Sequence, residues 1–223
     1  MEAFRKIDLR IGRIVSANVF VGVRKPAYQL QIDFGPIGIK RSSAQLTFAY
    51  EEPSALVGQL VTAVVNFPPR QIAKFMSEVL VTGFYVDEKR VMLMQPTCEV
   101  ELGQRVFCGE PLGPGSETIS FDDFLACKIV LGLVQQHENG FILDCGSHGM
   151  ITSSVSMEAQ VGKRLAFVLS ENKMGHSEHS EHSGHSEHSG YSGYSGYPLT
   201  VQGDNTGIYF TADSSVSPGT ILA

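Results

Sequence analysis

The apolar positions of this chain fall in short runs, most of which alternate with polar side chains or are rich in β-branched residues. Gly, Pro and Asp separate the runs, which is typical of strands joined by turns. Two short helices are predicted, near residues 54–57 and 70–76. The predicted strands are residues 11–15, 28–34, 60–66, 79–84, 90–94, 129–134, 141–144, 165–169, 199–201 and 207–211.

The two halves of the chain repeat one skeleton. LQIDFG, SSAQ and VGQLVTAVVN in the first half correspond to FILDCG, SSVS and VGKRLAFVLS in the second. The opening segments FRKIDLRIGRIV and FDDFLACKIVLGLV are also alike, and we expect them to need a one-residue shift. Self-similarity with a period of about one domain predicts a duplicated unit. With about five strands in each unit, the predicted fold is all-β, two tandem OB-fold domains, each a five-stranded Greek-key barrel.

The duplication sets the predicted domain boundaries. The first domain is placed at residues 1–108 and the degenerate second one at 119–223. Residues 109–118, which contain Gly-Pro-Gly-Ser, are predicted to be the linker. Within the second domain, residues 175–197 are rich in His, Ser, Gly and Tyr, and we predict a flexible surface loop because such a tract buries little apolar area. Its five histidines recur every three residues and could bind metal adventitiously, but no dedicated metal site is predicted.

The composition of the chain bears on where in the cell the protein is expected. No apolar run approaches the roughly 20 residues that span a bilayer, and the N-terminus has no apolar signal-peptide core, so we expect a cytoplasmic protein without membrane insertion. The four cysteines show no CxxC spacing and are expected to be free thiols.

The charge is distributed unevenly. Residues 1–106 carry 13 Lys and Arg against 10 Asp and Glu, whereas residues 107–223 carry 4 against 13. Basic charge that could neutralise phosphates therefore lies in the first half. A nucleic-acid surface spread over the whole chain is not expected.

Several polar and basic segments of the first half are candidates for ligand contact. The run from Lys40 to Gln45 combines cations with hydroxyl and amide groups, a mixture that suits phosphate binding, although such residues alone are more often a solvated strand end. Two prolines stiffen the loop before Arg70. Phe75 and Met76 could be exposed contacts for a peptide or a base, or equally core residues. The candidate contact residues are Lys25, Lys40, Arg41, Ser42, Ser43, Gln45, Asn66, Arg70, Gln71, Lys74, Phe75, Met76 and Ser77.

The stretch from Arg24 to Gly83, with RKPAYQLQIDFGPIGIKRSSAQLT and VGQLVTAVVNFPPRQIAKFMSEVLVTG, resembles the CsaA family of export-related chaperones. CsaA proteins are small members of the tRNA-binding-domain group of OB-fold barrels. The resemblance implies that SSAQ lies on a ligand-facing side and that PPRQ borders a binding groove. It also implies a homodimer of barrels, which a tandem chain would replace by an internal pseudo-dimer, so a monomer is expected.

The expected function is binding without catalysis. No HExxH, GxSxG or P-loop pattern is present, and no cofactor is predicted. By resemblance, we expect a chaperone of tRNA-binding-domain character, linked to protein secretion, that binds tRNA, unfolded preproteins or both on the first barrel. The alternatives are a tRNA-binding accessory factor for an aminoacyl-tRNA synthetase and an interaction scaffold that has lost RNA binding.

Overall fold

The computed structural model describes residues 2–109, 118–138, 140–153, 155–171, 191–201 and 208–222. In the first half, short helices and 3-10 turns separate the strands. Its elements are α1 Glu2–Lys6, β1 Leu9–Val19, β2 Tyr28–Asp33, a 3-10 turn Gly35–Ile37, β3 Ile39–Ala44, a 3-10 turn Pro53–Leu56, β4 Leu60–Val64, β5 Arg70–Ile72, β6 Phe75–Ser77, β7 Leu80–Val81, β8 Gly83–Tyr85, β9 Val91–Leu93, β10 Gln95–Pro96 and β11 Val106–Cys108.

The second half follows the same order of elements. They are α2 Phe121–Leu125, β12 Ile129–His137, β13 Gly140–Asp144, a 3-10 turn Gly146–His148, β14 Met150–Ser153, a 3-10 turn Glu158–Gln160, β15 Arg164–Glu171, β16 Tyr191–Val201 and β17 Phe210–Thr211. Among these elements, no helix is long and apolar enough to span a membrane.

Each half is a barrel-like sheet. The first has the strand order β3-β2-β1-β4-β7 and is nearly closed, because the Glu78 N–H donates to the Arg41 carbonyl at 2.8 Å and the Ser43 N–H to the Ser77 hydroxyl at 3.1 Å. The second is a closed five-stranded ring, β12-β13-β14-β16-β15, in which the β14–β16 pair is parallel. The predicted all-β fold of two barrels is confirmed.

Equivalent strand registers confirm the duplication. Ile11 pairs with Thr62 in the first barrel, as Leu131 pairs with Ala166 in the second. Counting back from this pair, Phe4 corresponds to Phe124 without an insertion. The expected one-residue shift between the opening segments is therefore wrong.

The two barrels share one hydrophobic core. Phe4, Leu9 and Phe84 of the first barrel belong to the same buried cluster as Ile129 and Phe210 of the second. Two strand pairings among the described elements cross between the halves, β10 with β17 and β11 with β16, and an isolated bridge joins Phe84 to Leu222. A separate cluster fills the interior of each barrel. The boundary at residue 108 stays a prediction, and β11 on its N-terminal side is hydrogen-bonded to a strand of the second barrel.

Local elements differ from the sequence-based prediction at three places. Residues 70–76 form the β5–β6 hairpin and not a helix, because Ala73 takes a left-handed φ of 50° that turns the chain back. The predicted helix at 54–57 is a 3-10 turn, Pro53–Leu56. Helices α1 and α2 were not predicted, since five residues are too few to show a helical period.

The prediction of a surface loop at residues 175–197 is wrong for the last part of that segment. Residues 191–197, predicted to be loop, form the start of β16 and pair with both β14 and β15. Tyrosine favours strands, and Gly196 lets the backbone pass close to Leu143. The five histidines from His176 to His188 lie outside the described residues.

Candidate functional site

A continuous groove runs along the first barrel and is made of three adjoining cavities. The apolar pocket, about 370 Å³, is lined chiefly by Phe67, Ile72, Leu80, Ile119 and Phe121. The basic pocket, about 490 Å³, is lined by Arg24, Lys25, Arg70 and Gln71 among others. The outer pocket, about 200 Å³, is lined by Pro26, Phe48, Tyr85 and Lys89 among others.

The pockets are joined by shared side chains. Gln45 lines all three pockets, Ser43 and Arg70 line both the apolar and the basic pocket, and Lys25 lines both the basic and the outer pocket. An extended ligand could therefore contact all three. The first two volumes fall within the range of about 300–1,000 Å³ that is typical of ligand sites.

Alternation along β3 decides which of its side chains face the groove. Successive side chains of a strand point to opposite sides, so Arg41 and Ser43 share one face, and Ser43 lines the groove together with Gln45, which directly follows the strand. Lys40 and Ser42 share the other. The Ser42 side chain is 1% exposed, and its hydroxyl donates to the Val79 carbonyl at 2.9 Å. The predicted contacts Lys40 and Ser42 are therefore not brought to the groove, and the Ser42 hydroxyl stabilises the barrel closure.

The hairpin β5–β6 carries the opposite wall. Arg70 pairs with Ser77 in register, so both side chains lie on the face that borders the apolar pocket. The Gln71 amide donates to the Ala73 carbonyl at 2.7 Å, which supports the turn beside the basic pocket. Lys74 and Met76 line none of the three cavities.

Two further predicted residues have structural contacts. The Asn66 amide donates to the Lys6 carbonyl at 2.8 Å, and its oxygen accepts from the Asp8 N–H at 3.0 Å, so Asn66 fixes α1 against β4. Phe75 packs edge-to-face on Phe20 with ring centroids 5.5 Å apart. Neither lines the groove.

The cations in and beside the groove differ in whether a carboxylate neutralises them. In the part of the chain that the structure describes, Arg24, Lys25 and Arg70 have no carboxylate within ion-pair distance. Arg41, in contrast, pairs with Glu78 at 3.2 Å and stands over the Phe75 ring at 5.7 Å. Arg24, Lys25 and Arg70 all line the basic pocket and make it an anion-attracting surface.

Glu78 is the acidic residue that lines the apolar pocket. Burial raises the pKa of its carboxyl, but hydrogen bonds from the Arg41 backbone N–H and guanidinium outweigh burial, so the pKa lies below its ordinary value. Glu78 is therefore ionised at neutral pH. It lines the apolar pocket beside Ser43 and Ser77.

The second half of the chain contributes part of the site. The sequence did not predict this contribution. Ile119, Ser120 and Phe121 line the apolar pocket from the start of α2. The Phe121 ring lies 6.3 Å from that of Phe67, and Phe124 lies near both. Residues so far apart in sequence meet only through the shared core, and no local pattern signals that meeting. Arg24, in contrast, could have been included because it directly precedes Lys25.

The second barrel lacks the cations of the first at the equivalent strand. Because Asp33 pairs with Ile39 as Asp144 pairs with Met150, Ile151 and Thr152 correspond to Lys40 and Arg41. The second barrel therefore lacks the two cations of β3. Throughout the described ranges, no three His, Cys, Asp or Glu side chains are grouped so that they could hold a metal ion.

Comparisons with known proteins match the first barrel. A family model described as "Putative tRNA binding domain" matches residues 9–105. Methionine–tRNA ligase of Thiobacillus denitrificans is 34% identical over 112 residues, which is 48% of this chain and 16% of the ligase. The corresponding ligase of Acidithiobacillus ferrooxidans is 35% identical over 106 residues, or 15% of its length. The chain therefore spans only a small part of these curated relatives.

Two solved structures are also similar. The chaperone CsaA of Bacillus anthracis is 48% identical and the alignment covers 47% of this chain and 94% of that one, with a TM-score of 0.45. The C-terminal domain of Plasmodium vivax p43 is 16% identical and the alignment covers 63% of this chain and 88% of that one, with a TM-score of 0.52. The p43 domain shares the fold.

Proposed function

Because the chain belongs, through residues 9–105, to the tRNA-binding domain family, we propose that it binds tRNA in the groove of its first barrel and acts as a binding protein without catalysis of its own. The observation that supports this proposal best is the group of cations Arg24, Lys25 and Arg70, which have no ion-pair partner among the described residues and lie beside the polar side chains Ser43 and Gln45. Cations supply affinity for phosphates, and hydroxyl and amide groups fix the register of the backbone.

A chaperone function is the second candidate. The resemblance of residues 24–83 to the CsaA family supports it, and so does the apolar pocket, in which Phe67, Leu80 and Phe121 could contact the apolar side chains of an unfolded polypeptide. The role in protein secretion and the place of action in the cytoplasm stay predictions.

The salt dependence of tRNA binding tests the proposal. With about three neutralised phosphates, the slope of log affinity against log salt should be about −2 to −3. Arg70→Ala should weaken binding and make the slope shallower by about 0.7–0.9, because one phosphate contact is lost. Fluorescence anisotropy with a labelled tRNA over a salt series measures both quantities.

Lys74→Ala is the matched control. Lys74 lies at the tip of the same hairpin, so the variant loses the same charge at a position that lines none of the three pockets. Its affinity and slope should stay close to those of the wild type. Equal losses in the two variants would mean that the groove is not the binding site. Absence of tRNA binding at low salt, together with binding of an unfolded polypeptide, would leave the chaperone candidate.

A further inference from the structure

We propose that the apolar pocket receives one nucleobase of a single-stranded RNA segment, and that Glu78 selects bases that present an amino group. The inference rests on the proposed RNA-binding function and deepens it, since it assigns the pocket next to the phosphate-binding cations. It also makes the second half of the chain part of the binding site, because α2 supplies one wall.

The walls of the pocket suit a flat aromatic ligand. Phe67 and Phe121 stand with ring centroids 6.3 Å apart and an interplanar angle of 38°, and Phe121 is 56% exposed. Ile72 and Leu80 complete the apolar surface. Every nucleobase has a π-face, and an aromatic side chain that stacks on a base in single-stranded RNA commonly accounts for about five- to 150-fold in affinity.

The position of Arg70 connects base and backbone. Arg70 lines both the apolar and the basic pocket, so a base stacked on Phe121 would have its phosphate beside that guanidinium. Arg24 and Lys25 continue the positive surface away from the base. An apolar peptide side chain could fill the same pocket, but three unpaired cations alongside it favour a polyanion over a polypeptide.

One oxygen of Glu78 is free to bind the edge of the base. Its Oε2 accepts from the Arg41 backbone N–H at 3.0 Å and from the Arg41 Nε at 3.2 Å. Its Oε1 has no hydrogen-bond partner in the part of the chain described. An ionised carboxylate only accepts hydrogen bonds. The pocket therefore presents a fixed acceptor beside its apolar surface.

The chemistry of the base edges gives the expected order. Guanine offers two adjacent donors, N1–H and the N2 amino group, whereas inosine has the N1–H alone. The single donor of uracil, N3–H, lies between two carbonyl oxygens that the carboxylate repels. We therefore expect affinity to fall from guanine to inosine to uracil at one position of an otherwise identical strand.

Short labelled RNAs test the inference on the whole chain. The three pentamers UUGUU, UUIUU and UUUUU differ only in the central base, and fluorescence anisotropy gives their affinities for the wild type. UUGUU should bind about tenfold more tightly than UUUUU, in line with one charge-assisted hydrogen bond, with UUIUU between them. Glu78→Gln should bring the ratio of UUGUU to UUUUU close to one.

Phe121→Ala tests the stacking wall. It should weaken all three pentamers by about fivefold or more without changing the salt slope, because no phosphate contact is lost. Leu125→Ala is the matched control, since Leu125 lies on the same helix, is 58% exposed and lines none of the pockets. Its affinities should equal those of the wild type.

The outcomes separate this inference from the proposed function. Equal affinity for the three pentamers and no effect of Phe121→Ala, with tRNA binding intact, would overturn the base pocket alone. Failure of the wild type to bind either tRNA or the pentamers would overturn both. If Phe121→Ala weakens binding of an unfolded polypeptide but of no RNA, the pocket is a peptide site. The inosine comparison needs no variant, so it stands even if Glu78→Gln fails to fold.

Discussion

At the residue scale, Glu78 has both a structural and an electrostatic effect beside the groove. One carboxylate oxygen holds Arg41 and thereby helps to close the barrel between β3 and β6. The same contact neutralises Arg41, whereas Arg24, Lys25 and Arg70 have no ion-pair partner among the described residues. Glu78 therefore both stabilises the barrel closure and neutralises one cation beside the groove.

Acid should remove the stabilisation that ionised Glu78 contributes. Because the folded-state pKa lies below the ordinary value of 4.5, this contribution is fully present above that value and is lost as the pH falls through the folded pKa. Glu78→Gln does not titrate. The difference in unfolding free energy between wild type and Glu78→Gln should thus be largest at neutral pH and smaller near about pH 3. Urea unfolding at the two pH values measures it, and a constant difference would contradict the assignment.

At the scale of elements, Gly103 in the first barrel and Gly219 in the second allow the same close approach of two backbone segments. Both take left-handed φ values, 83° and 87°. A Cβ at Gly103 would collide with the Phe34 carbonyl oxygen, and one at Gly219 with the Cys145 carbonyl oxygen. The close approach lets the last segment of each half pack onto the turn that follows its second strand.

Alanine at either glycine should therefore be costly. Gly103→Ala and Gly219→Ala combine left-handed backbone strain with a backbone collision, so we expect a loss of about 2–4 kcal/mol of unfolding free energy. Gly58→Ala is the control, since Gly58 has a φ of 89° but nothing lies within 4 Å of the place that its Cβ would occupy, and about 1–2 kcal/mol is expected there. Denaturant melts measure the three losses, and equal losses would refute the role of the close approach.

Much of the element order follows from the sequence, and much of the site does not. The periodic strands β1, β2, β4, β12 and β15 were predicted because their alternating or β-branched residues record which side is buried. The β5–β6 hairpin was mistaken for a helix, since Ala73 gives no sign of its left-handed turn.

The predicted contact residues lie on different surfaces of the barrel for a related physical reason. Ser43, Gln45 and Arg70 reach the groove, whereas Lys40 and Ser42 turn away from it, and only the strand register distinguishes the two sets. Phe121 was missed because its place in the pocket depends on packing between the halves. Sequence patterns report burial along one element, and they do not report which distant element lies opposite.

At the scale of the whole molecule, the cluster shared between the barrels makes the halves interdependent. Val106 of the first half pairs with Val201 of the second, and Phe84 of the first half forms a bridge with Leu222 of the second. Each barrel supplies the apolar surface that covers the other.

Thermal unfolding should accordingly be a single cooperative transition. Loss of either barrel would expose the shared core, so neither half should persist alone. Scanning calorimetry should give one peak whose calorimetric and van't Hoff enthalpies agree. Two resolved peaks would show that the barrels are energetically separate.

The same arrangement predicts a monomer. The surface of the first barrel that contains Phe4, Leu9 and Val106 is already covered by the second barrel. A second copy of the chain would therefore find no such apolar face available. Light scattering at micromolar concentration should give the mass of one chain, 24.2 kDa, and a stable dimer would argue against this prediction.

The bridge between Phe84 and Leu222 affects how the protein folds during its synthesis on the ribosome. At about 5–20 residues per second, translation reaches Leu222 on the order of ten seconds after Phe84. During that interval the N-terminal barrel emerges with an apolar flank that only its own later sequence can cover. A nascent chain is thus exposed to chaperones and proteases at this flank until Leu222 has been synthesised, and a chain truncated before Leu222 would carry an uncovered apolar surface.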